Sequence, residues 1–284
     1  MTYSAGNAWG RKPSRGSETA HLRSRAESDD LKAVKRHRMQ SPLTPVKALR
    51  GMVPAANQRA YSISTLMDNG ATVEFEHYAA PEFYLEDIFA CFGRGTLVAT
   101  DFGKIAIEDL RPGDRVKTRD NGLMAVRWIG SCSFGGPETA NDTTGFPIRI
   151  KADALGELRP EQDLIVSPRF RVLSNNASCK ALFGSSETLA PAIDLMDHET
   201  IMQVRPPEDL RFYNLMLDSH QIIRANGLET ESYHPGNVGL SVMSLELQHH
   251  LRQIFPHLEG DLSRIGRSVR PILKGFETEV LRAG

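Results

Sequence analysis

The sequence predicts a mainly β protein, with a disordered basic tail before the β domain and two short helices after it. Three patterns predict this organisation. Residues 1–60 contain twelve Lys and Arg against four Asp and Glu, and few aromatic residues. Between residues 91 and 235, apolar and polar residues alternate over short runs separated by turn residues. Beyond the Pro235-Gly236 break, the apolar spacing becomes helical.

The composition is that of an ordinary globular protein. The chain has 284 residues, a net charge of −1 and 40% hydrophobic residues, which excludes a membrane protein and a wholly disordered one. The longest apolar run is five residues, Ile88–Phe92, whereas a transmembrane helix needs roughly 20. The basic N-terminus has no apolar core, so we expect no signal peptide and a cytoplasmic or unconventionally secreted protein.

The first 90 residues divide into a tail and a hairpin segment. Residues 1–60 are predicted to be disordered, although Leu31–Met39 can form a short basic helix that contacts nucleic acid or another acidic surface. A solvated tail is the commoner outcome, because no aromatic residues are interleaved for stacking. Residues 61–90 are predicted to form a short hairpin around Asp68-Asn69-Gly70, followed by an acidic linker.

The β domain is predicted over residues 91–235. Its strands are indicated by alternating apolar residues, and its turns by Arg111-Pro112-Gly113-Asp114, Asp120-Asn121-Gly122 and Asn226-Gly227. Residues 131–146 are predicted to be a polar loop. Residues 236–284 form the helical extension. Ser244 can cap its first helix, which Pro256 ends, and Pro271 opens the second.

The cysteines and short motifs exclude several kinds of site. Cys91, Cys132 and Cys179 are an odd set without a Cys-x-x-Cys pair, so neither a disulfide scaffold nor a four-cysteine zinc site is expected. The sequence has no phosphate-binding loop, no dinucleotide fingerprint and no metal-binding His/Glu pair at helical spacing. We therefore expect no cofactor and no metal.

The segment from Cys91 onward resembles the Hint (hedgehog/intein) domain, in particular a bacterial subfamily that begins Cys-Phe-x-x-Gly-Thr. The matching pieces are ordered along about half of the chain: Cys91-Phe92, Gly95-Thr96, Glu108–Val116, Val126–Gly130, Pro147–Ile150 and Tyr213–Gly236. No single piece is specific, but the ordered set is.

The resemblance implies a fold and an activity. Hint domains fold as a pseudo-symmetric β horseshoe and cut the peptide bond before their first Cys, which here is Ala90–Cys91. The thiol attacks the preceding carbonyl, an N–S acyl shift, and a nucleophile then takes the acyl group. That acceptor can be water, a thiol, an amine or a hydroxyl. Such a domain is at most a single-turnover, self-cleaving enzyme.

Two positions depart from the family's proton-donor motif. Hint domains protonate the leaving amine with a Thr-x-x-His motif, and the matching residues here run from Ser167 to Phe170. Ser167 keeps the hydroxyl, but Phe170 cannot donate a proton, and general acid catalysis is worth roughly 100- to 10,000-fold. His220 is the first replacement candidate and His234 the second. A strand-end His220 held by Asp218 is the commoner structural outcome.

Splicing is excluded on chemical grounds. Inteins finish with His-Asn, and Glu231-Ser232 stands at that position, so no Asn is available to cyclise. The candidate catalytic residues are therefore Cys91, Thr96 of the start motif, Ser167, His220 and Ser232, with Ser232 more often structural in such a place. Two interpretations stay open: an autoprocessing Hint domain, and a degenerate Hint fold kept as a binding or structural module.

Overall fold

The computed structural model describes residues 58–134, 145–206, 208–235 and 243–278. The basic tail is predicted over residues 1–60 with its nucleic-acid contact; residues 1–57 lie outside the described residues, but Arg59 and Ala60 belong to a strand. The polar loop is predicted over residues 131–146; residues 131–134 are instead the end of a long strand, and residues 135–144 lie outside the described residues. The described strands are β1 (Arg59–Leu66), β2 (Thr72–Ala79), β3 (Phe92–Gly93), β4 (Leu97–Thr100), β5 (Gly103–Ala106), β6 (Arg115–Lys117), β7 (Leu123–Phe134), β8 (Ile148–Ile150), β9 (Leu164–Val166), β10 (Arg171–Asn175), β11 (Glu187–Pro191), β12 (Ile201–Gln203), β13 (Leu210–Leu217), β14 (Ile222–Ala225) and β15 (Leu228–Glu231).

The strands form one open sheet, and every pairing between the named strands is antiparallel. Its order is β11-β10-β15-β14-β4-β6-β7-β13-β3-β9-β8-β12, with β5 on β4 and the β1–β2 hairpin on β7. The 12-residue β7 is central, because it pairs with β1, β6 and β13. The predicted mainly β fold class is confirmed.

Three α-helices are described: α1 (Phe83–Phe89), α2 (Ala177–Phe183) and α3 (Leu245–Ile254). Helix α3 is the one that the sequence indicates. The Ser244 hydroxyl accepts a hydrogen bond from Leu247 N at 3.0 Å, and Leu247, Leu251 and Ile254 are buried. The second helix does not begin at Pro271 as expected: Ile272 bridges to Leu189 and Leu273 N donates to Leu189 O, so residues 271–274 lie along β11. Residues 275–278 are helical.

The other two helices differ from the sequence-based expectation. Helix α1 occupies the segment interpreted as an acidic linker, and α2 lies within the segment predicted to be a β domain. Each has seven residues, too few for a helical period to stand out. Asn176 caps α2, and Gly184 ends it at a φ of 72°, where glycine is favoured.

The main core joins the hairpin, α1, the central strands and the C-terminal extension. It contains Tyr61, Ile63, Leu85, Phe89, Trp128, Phe212, Tyr233, Leu251, Ile254 and Phe255, among others. Two 3₁₀ turns, Pro256–Leu258 and Leu262–Ile265, extend this contact beyond α3. No helix in the described residues is long and apolar enough to cross a membrane.

Candidate functional site

Cys91 lies between helix α1 and strand β3, and the backbone on both sides of it is hydrogen-bonded. Ala90 N donates to Glu86 O at 2.9 Å as the C-cap of α1. Ser167 N donates to Cys91 O at 3.1 Å. Ala90 and Cys91 are 3% and 5% exposed. The Ala90–Cys91 bond is therefore held in one place inside the fold.

A second contact fixes the last turn of α1. The Asn214 side chain on β13 donates from Nδ2 to Ile88 O at 2.7 Å and accepts from Leu215 N at its Oδ1, at 2.9 Å. Asn214 is 2% exposed. Both ends of its amide are used, so it ties the turn before Ala90 to the central sheet.

A small cavity opens beside the Ala90–Cys91 bond. Its volume is about 20 Å³, which is room for one water molecule. Charged and aromatic groups from distant parts of the chain meet there: the lining residues are Asp87, Ala90, Cys91, Arg169, Phe170, Arg171, Asn214, Glu231, Tyr233 and His234.

The charges around Cys91 favour its neutral thiol. Burial raises the pKa of Cys91 well above its usual value, and the negative charges of Glu231 and Asp87 raise it further, while Arg171 acts in the opposite direction. Arg171 Nη1 donates to Glu231 Oε2 at 2.7 Å. A thiol in this setting needs a neighbouring base before it can attack.

Asp87 is the ionisable side chain of α1 that lines this cavity. Burial raises its pKa to about 6, partly offset by the positive charges of Arg169 and Arg171. Near neutral pH this carboxyl group therefore exists in both protonation states. It can accept a proton in one state and donate a proton in the other.

The residues that match Thr-x-x-His lie beside Cys91. Ser167 is 1% exposed, and its Oγ has no hydrogen-bond partner among the described residues. Phe170 lines the cavity and packs edge-on against Phe92, with 4.9 Å between ring centroids. The position where the family carries the imidazole is thus filled by an apolar ring.

His220 contacts Glu231 rather than Asp218, whose carboxylate pairs with Arg127, and it does not line the cavity. Its Nδ1 accepts a hydrogen bond from Val269 N at 3.1 Å, so the proton of a neutral ring is on Nε2. Nε2 lies 3.2 Å from Glu231 Oε2, at an angle that gives no aligned hydrogen bond. His220 thus reaches the cavity through the Glu231 carboxylate.

His234 lies closer to the reacting atoms than the sequence indicated, because it lines the cavity. Its Nε2 donates to Gly266 O at 3.2 Å, and its ring lies 4.8 Å from that of His220. Burial, followed by the neighbouring His220, lowers the pKa of His234 to about 4. It is therefore neutral near pH 7.

The hydroxyls of Thr96 and Ser232 make backbone contacts. Thr96 Oγ1 donates to Gly93 O at 2.7 Å within the turn after β3. Ser232 Oγ accepts from Gln221 N at 3.0 Å, and Ser232 N donates to Gln221 O. Neither residue lines the described cavity, and both contacts hold neighbouring chain segments in place.

Sequence reasoning missed most of the charged lining. Asp87 lies four residues before Cys91, one helical turn away, but the short α1 gave no signal of its own. Arg169 and Arg171 flank Phe170, so their place next to the motif is the sequence signal that could have identified them. Glu231 was noted only for replacing the family residue, and its contact with Arg171 depends on how β10 and β15 pair.

The comparison with protein-family models agrees with the sequence resemblance. A family model described as the Hint domain matches residues 90–237, just over half of the chain. The solution structure of a bacterial intein-like domain from Clostridium thermocellum is 12% identical, with a TM-score of 0.36, over 51% of this chain and 99% of that one. The crystal structure of the MchDnaB-1 intein is 10% identical, with a TM-score of 0.32, over 50% and 99%. The search of curated proteins finds no match. Because this family model covers just over half of the chain, the chain belongs to the Hint domain family.

Proposed function

We propose that this Hint domain cleaves its own chain at Ala90–Cys91 without splicing. The observation that carries the proposal is the small cavity lined by Cys91, Ala90 and Asp87. An acid and a nucleophile that share a water-sized space with one buried peptide bond are what an acyl shift requires.

The first step exchanges one acyl bond for another. Cys91 Sγ forms a bond to the Ala90 carbonyl carbon through a five-membered ring, the C–N bond breaks, and the thiol proton ends on the Cys91 amine. Because the nucleophile is covalently next to its target, most of the entropic cost of bringing the two together is absent. The product is a thioester of Ala90.

Asp87 carries the proton in this proposal. As a carboxylate it takes the thiol proton, and as a carboxylic acid it delivers that proton to the departing amine. Its pKa of about 6 leaves both forms populated near neutral pH. His234, with a pKa of about 4, is not protonated at that pH and is a weaker candidate for the acid.

The acyl acceptor in this proposal is water. A cavity of about 20 Å³ has room for one water molecule beside the thioester. Hydrolysis of the thioester leaves a carboxylate on Ala90 and restores the Cys91 thiol. Glu231 and Ser232 at the end of the domain provide no side chain that cyclises as Asn does, so the reaction ends there.

The test is the intact mass of freshly purified full-length protein, with and without a small thiol. We expect fragments of 90 and 194 residues, which Cys91→Ala abolishes. Cys132→Ala is the matched control, because Cys132 is also buried but lies in β7 away from the cavity lining. Fragments that persist in Cys91→Ala would contradict the proposal.

A second candidate is favoured by one contact. Phe170 is 2% exposed and packed on Phe92 in the place of the family's proton donor, as expected of a Hint fold that is retained as a binding or structural module. In that case the protein keeps a single intact mass for days. Hydroxylamine, which traps thioesters, separates the two candidates, because it yields the 90-residue fragment only when the acyl shift occurs.

A further inference from the structure

We infer that cleavage at Ala90–Cys91 does not free the segment before the cut: residues 58–90, here called the upstream arm, stay bound as the second chain of a nicked complex. The inference rests on the proposed function for the cut itself. The retention follows from contacts that are already present in the uncut chain. These contacts lie in three layers, formed by backbone, apolar side chains and the C-terminal extension.

The backbone of the upstream arm is part of the central sheet. Strand β1 pairs with β7 from Ser62↔Ser131 to Thr65↔Trp128. Over the same residues, the other edge of β7 pairs with β13. Departure of the arm would therefore leave a row of backbone donors and acceptors of β7 without partners along an apolar strand.

The apolar side chains of the arm are part of the main core. Tyr61, Leu85 and Phe89 are 0% exposed. The Phe89 ring lies 4.7 Å from Tyr61 and 5.6 Å from Trp128, centroid to centroid. Both sides of the scissile bond thus share one core, and separation would expose aromatic surface from each.

The C-terminal extension covers the arm from the other side. The 3₁₀ turn after α3 places His257 Nδ1 3.0 Å from the Thr65 hydroxyl. Arg264 Nη2 contacts Asp68 at 3.0 Å, and His77 Nε2 lies 2.9 Å from His250 Nδ1 on α3. Residues from β1, β2 and the turn between them are therefore held by chain that lies beyond the Hint-domain match.

The cut itself adds no unpaired charge. Hydrolysis leaves a carboxylate on Ala90 and an ammonium on Cys91 in the cavity lined by Arg169, Arg171 and Glu231. Groups of opposite sign are present for both new ends. The Asn214 contact to Ile88 O also lies before the cut and is unaffected by it.

The first experiment uses the self-cleaved full-length protein. The 1–90 and 91–284 fragments, resolved on a denaturing gel, should elute together by size-exclusion chromatography at micromolar concentration and weigh as one complex by native mass spectrometry. Elution as two separate species would overturn the inference.

A second nick makes the test independent of self-cleavage. A protease recognition sequence inserted after the exposed Ala80, in a Cys91→Ala chain, allows the hairpin to be cut from α1 by an added protease. The hairpin fragment should remain bound, also in 1 M NaCl, because the contacts are mostly apolar and buried. If the uncut wild type never cleaves but this complex holds, the proposed function fails and the docking stands. Dissociation in either salt condition overturns the docking.

Variants locate the retaining contacts. Ile63→Ala, which truncates a buried side chain of β1, should raise the dissociation constant of the protease-nicked complex by about 10-fold or more. Glu74→Ala, on the exposed face of the same hairpin, is the matched control and should leave it within about 3-fold. Equal effects of the two substitutions would contradict a core-like interface.

Discussion

The ring of Phe170 packs edge-on against the ring of Phe92, the residue that directly follows the nucleophile candidate Cys91. The two centroids are 4.9 Å apart, and both rings are buried. The family's proton-donor position is therefore beside the scissile bond, as the motif alignment requires, and it is occupied by a group that has no proton to donate.

The most direct test of the missing proton donor is to place an imidazole at position 170. Phe170→His should raise the rate of fragment formation roughly 100-fold or more if the missing general acid limits cleavage. Phe170→Leu, which alters the packing on Phe92 without adding a donor, should give no gain. Rates from time courses of intact mass measure both. Equal rates for the two variants would mean that another step is limiting.

Asp87→Asn should slow fragment formation roughly 100-fold or more, and the rate should lose its pH dependence near 6.

The same substitution should make the fold more stable than the wild type near neutral pH. The folded-state pKa of Asp87 is above its unfolded value, so the folded chain binds the proton more tightly, and wild-type stability falls as pH rises from about 4 to 6.

Asp87→Asn should not lose stability over this pH range. In the wild type, the loss in the free energy of unfolding amounts to about 3 kcal/mol at most. Urea unfolding at pH 4.5 and 7 measures it. Asp101→Asn, on an exposed turn, is the control and should behave as wild type in both assays. A variant that cleaves normally would remove Asp87 from the mechanism.

Two substitutions of His220 distinguish a positioning role of its imidazole from a catalytic role. His220→Asn keeps a hydrogen-bond acceptor near Nδ1 for Val269 N, so we expect near-wild-type stability and cleavage. His220→Leu leaves that donor unsatisfied and should cost about 1–3 kcal/mol in the free energy of unfolding. Slower cleavage by a stable His220→Asn protein would assign the imidazole a direct part through Glu231.

Gly130 on β7 is required because the Trp128 ring and Phe89 of α1 both pack directly over it. A Cβ atom there would lie 2.7 Å from Phe89 Cδ1 and closer still to the Trp128 ring. Gly130→Ala should therefore shift Phe89, destabilise the fold by about 1–3 kcal/mol and slow cleavage, because Phe89 immediately precedes Ala90. Gly275→Ala, where the nearest atom is an ordinary 3.4 Å away, is the control. Unchanged melting temperature and rate in Gly130→Ala would contradict this packing.

His257 should make the fold sensitive to acid. Thr65 Oγ1 donates to Arg127 O at 3.1 Å, so His257 Nδ1 must donate to Thr65. The Nε2 lone pair is buried, with no partner in the part of the chain that the structure describes. Burial lowers the pKa of His257 to about 4, helped by Arg127 and Arg264 and opposed by Asp68. The unfolded chain thus binds the proton more readily, and stability falls as pH drops from about 6.5 towards 4.

His257→Asn keeps a donor towards Thr65 and removes this titration. It should recover up to about 3 kcal/mol at pH 4.5 relative to the wild-type loss. Urea unfolding across that range is the measurement, and His198→Asn at an exposed turn is the control. Parallel pH profiles for wild type and His257→Asn would refute the assignment.

The fold class was predictable because its signals are local. Alternation places one side of each strand in the core, and the Asn-Gly and Pro-Gly-Asp turns fix where strands end. Helices α1 and α2 were not predictable, since seven residues give barely two turns and their stability comes from packing. Leu85 and Phe89 of α1 are buried by contacts with β7 and α3, which are remote in sequence.

By itself, the sequence determined the nucleophile candidate and its target, because Cys91 and Ala90 are covalent neighbours and no folding is needed to bring them together. It also determined what is missing, since a phenylalanine ring cannot donate a proton in any fold. Only the tertiary structure decided what surrounds the bond. Asp87, Arg171 and Glu231 meet in one cavity because α1, β10 and β15 converge there, and burial rather than residue type raises the Asp87 pKa. The structure also decided that the segment before the cut is part of the core, because that depends on which long-range surfaces bury each other.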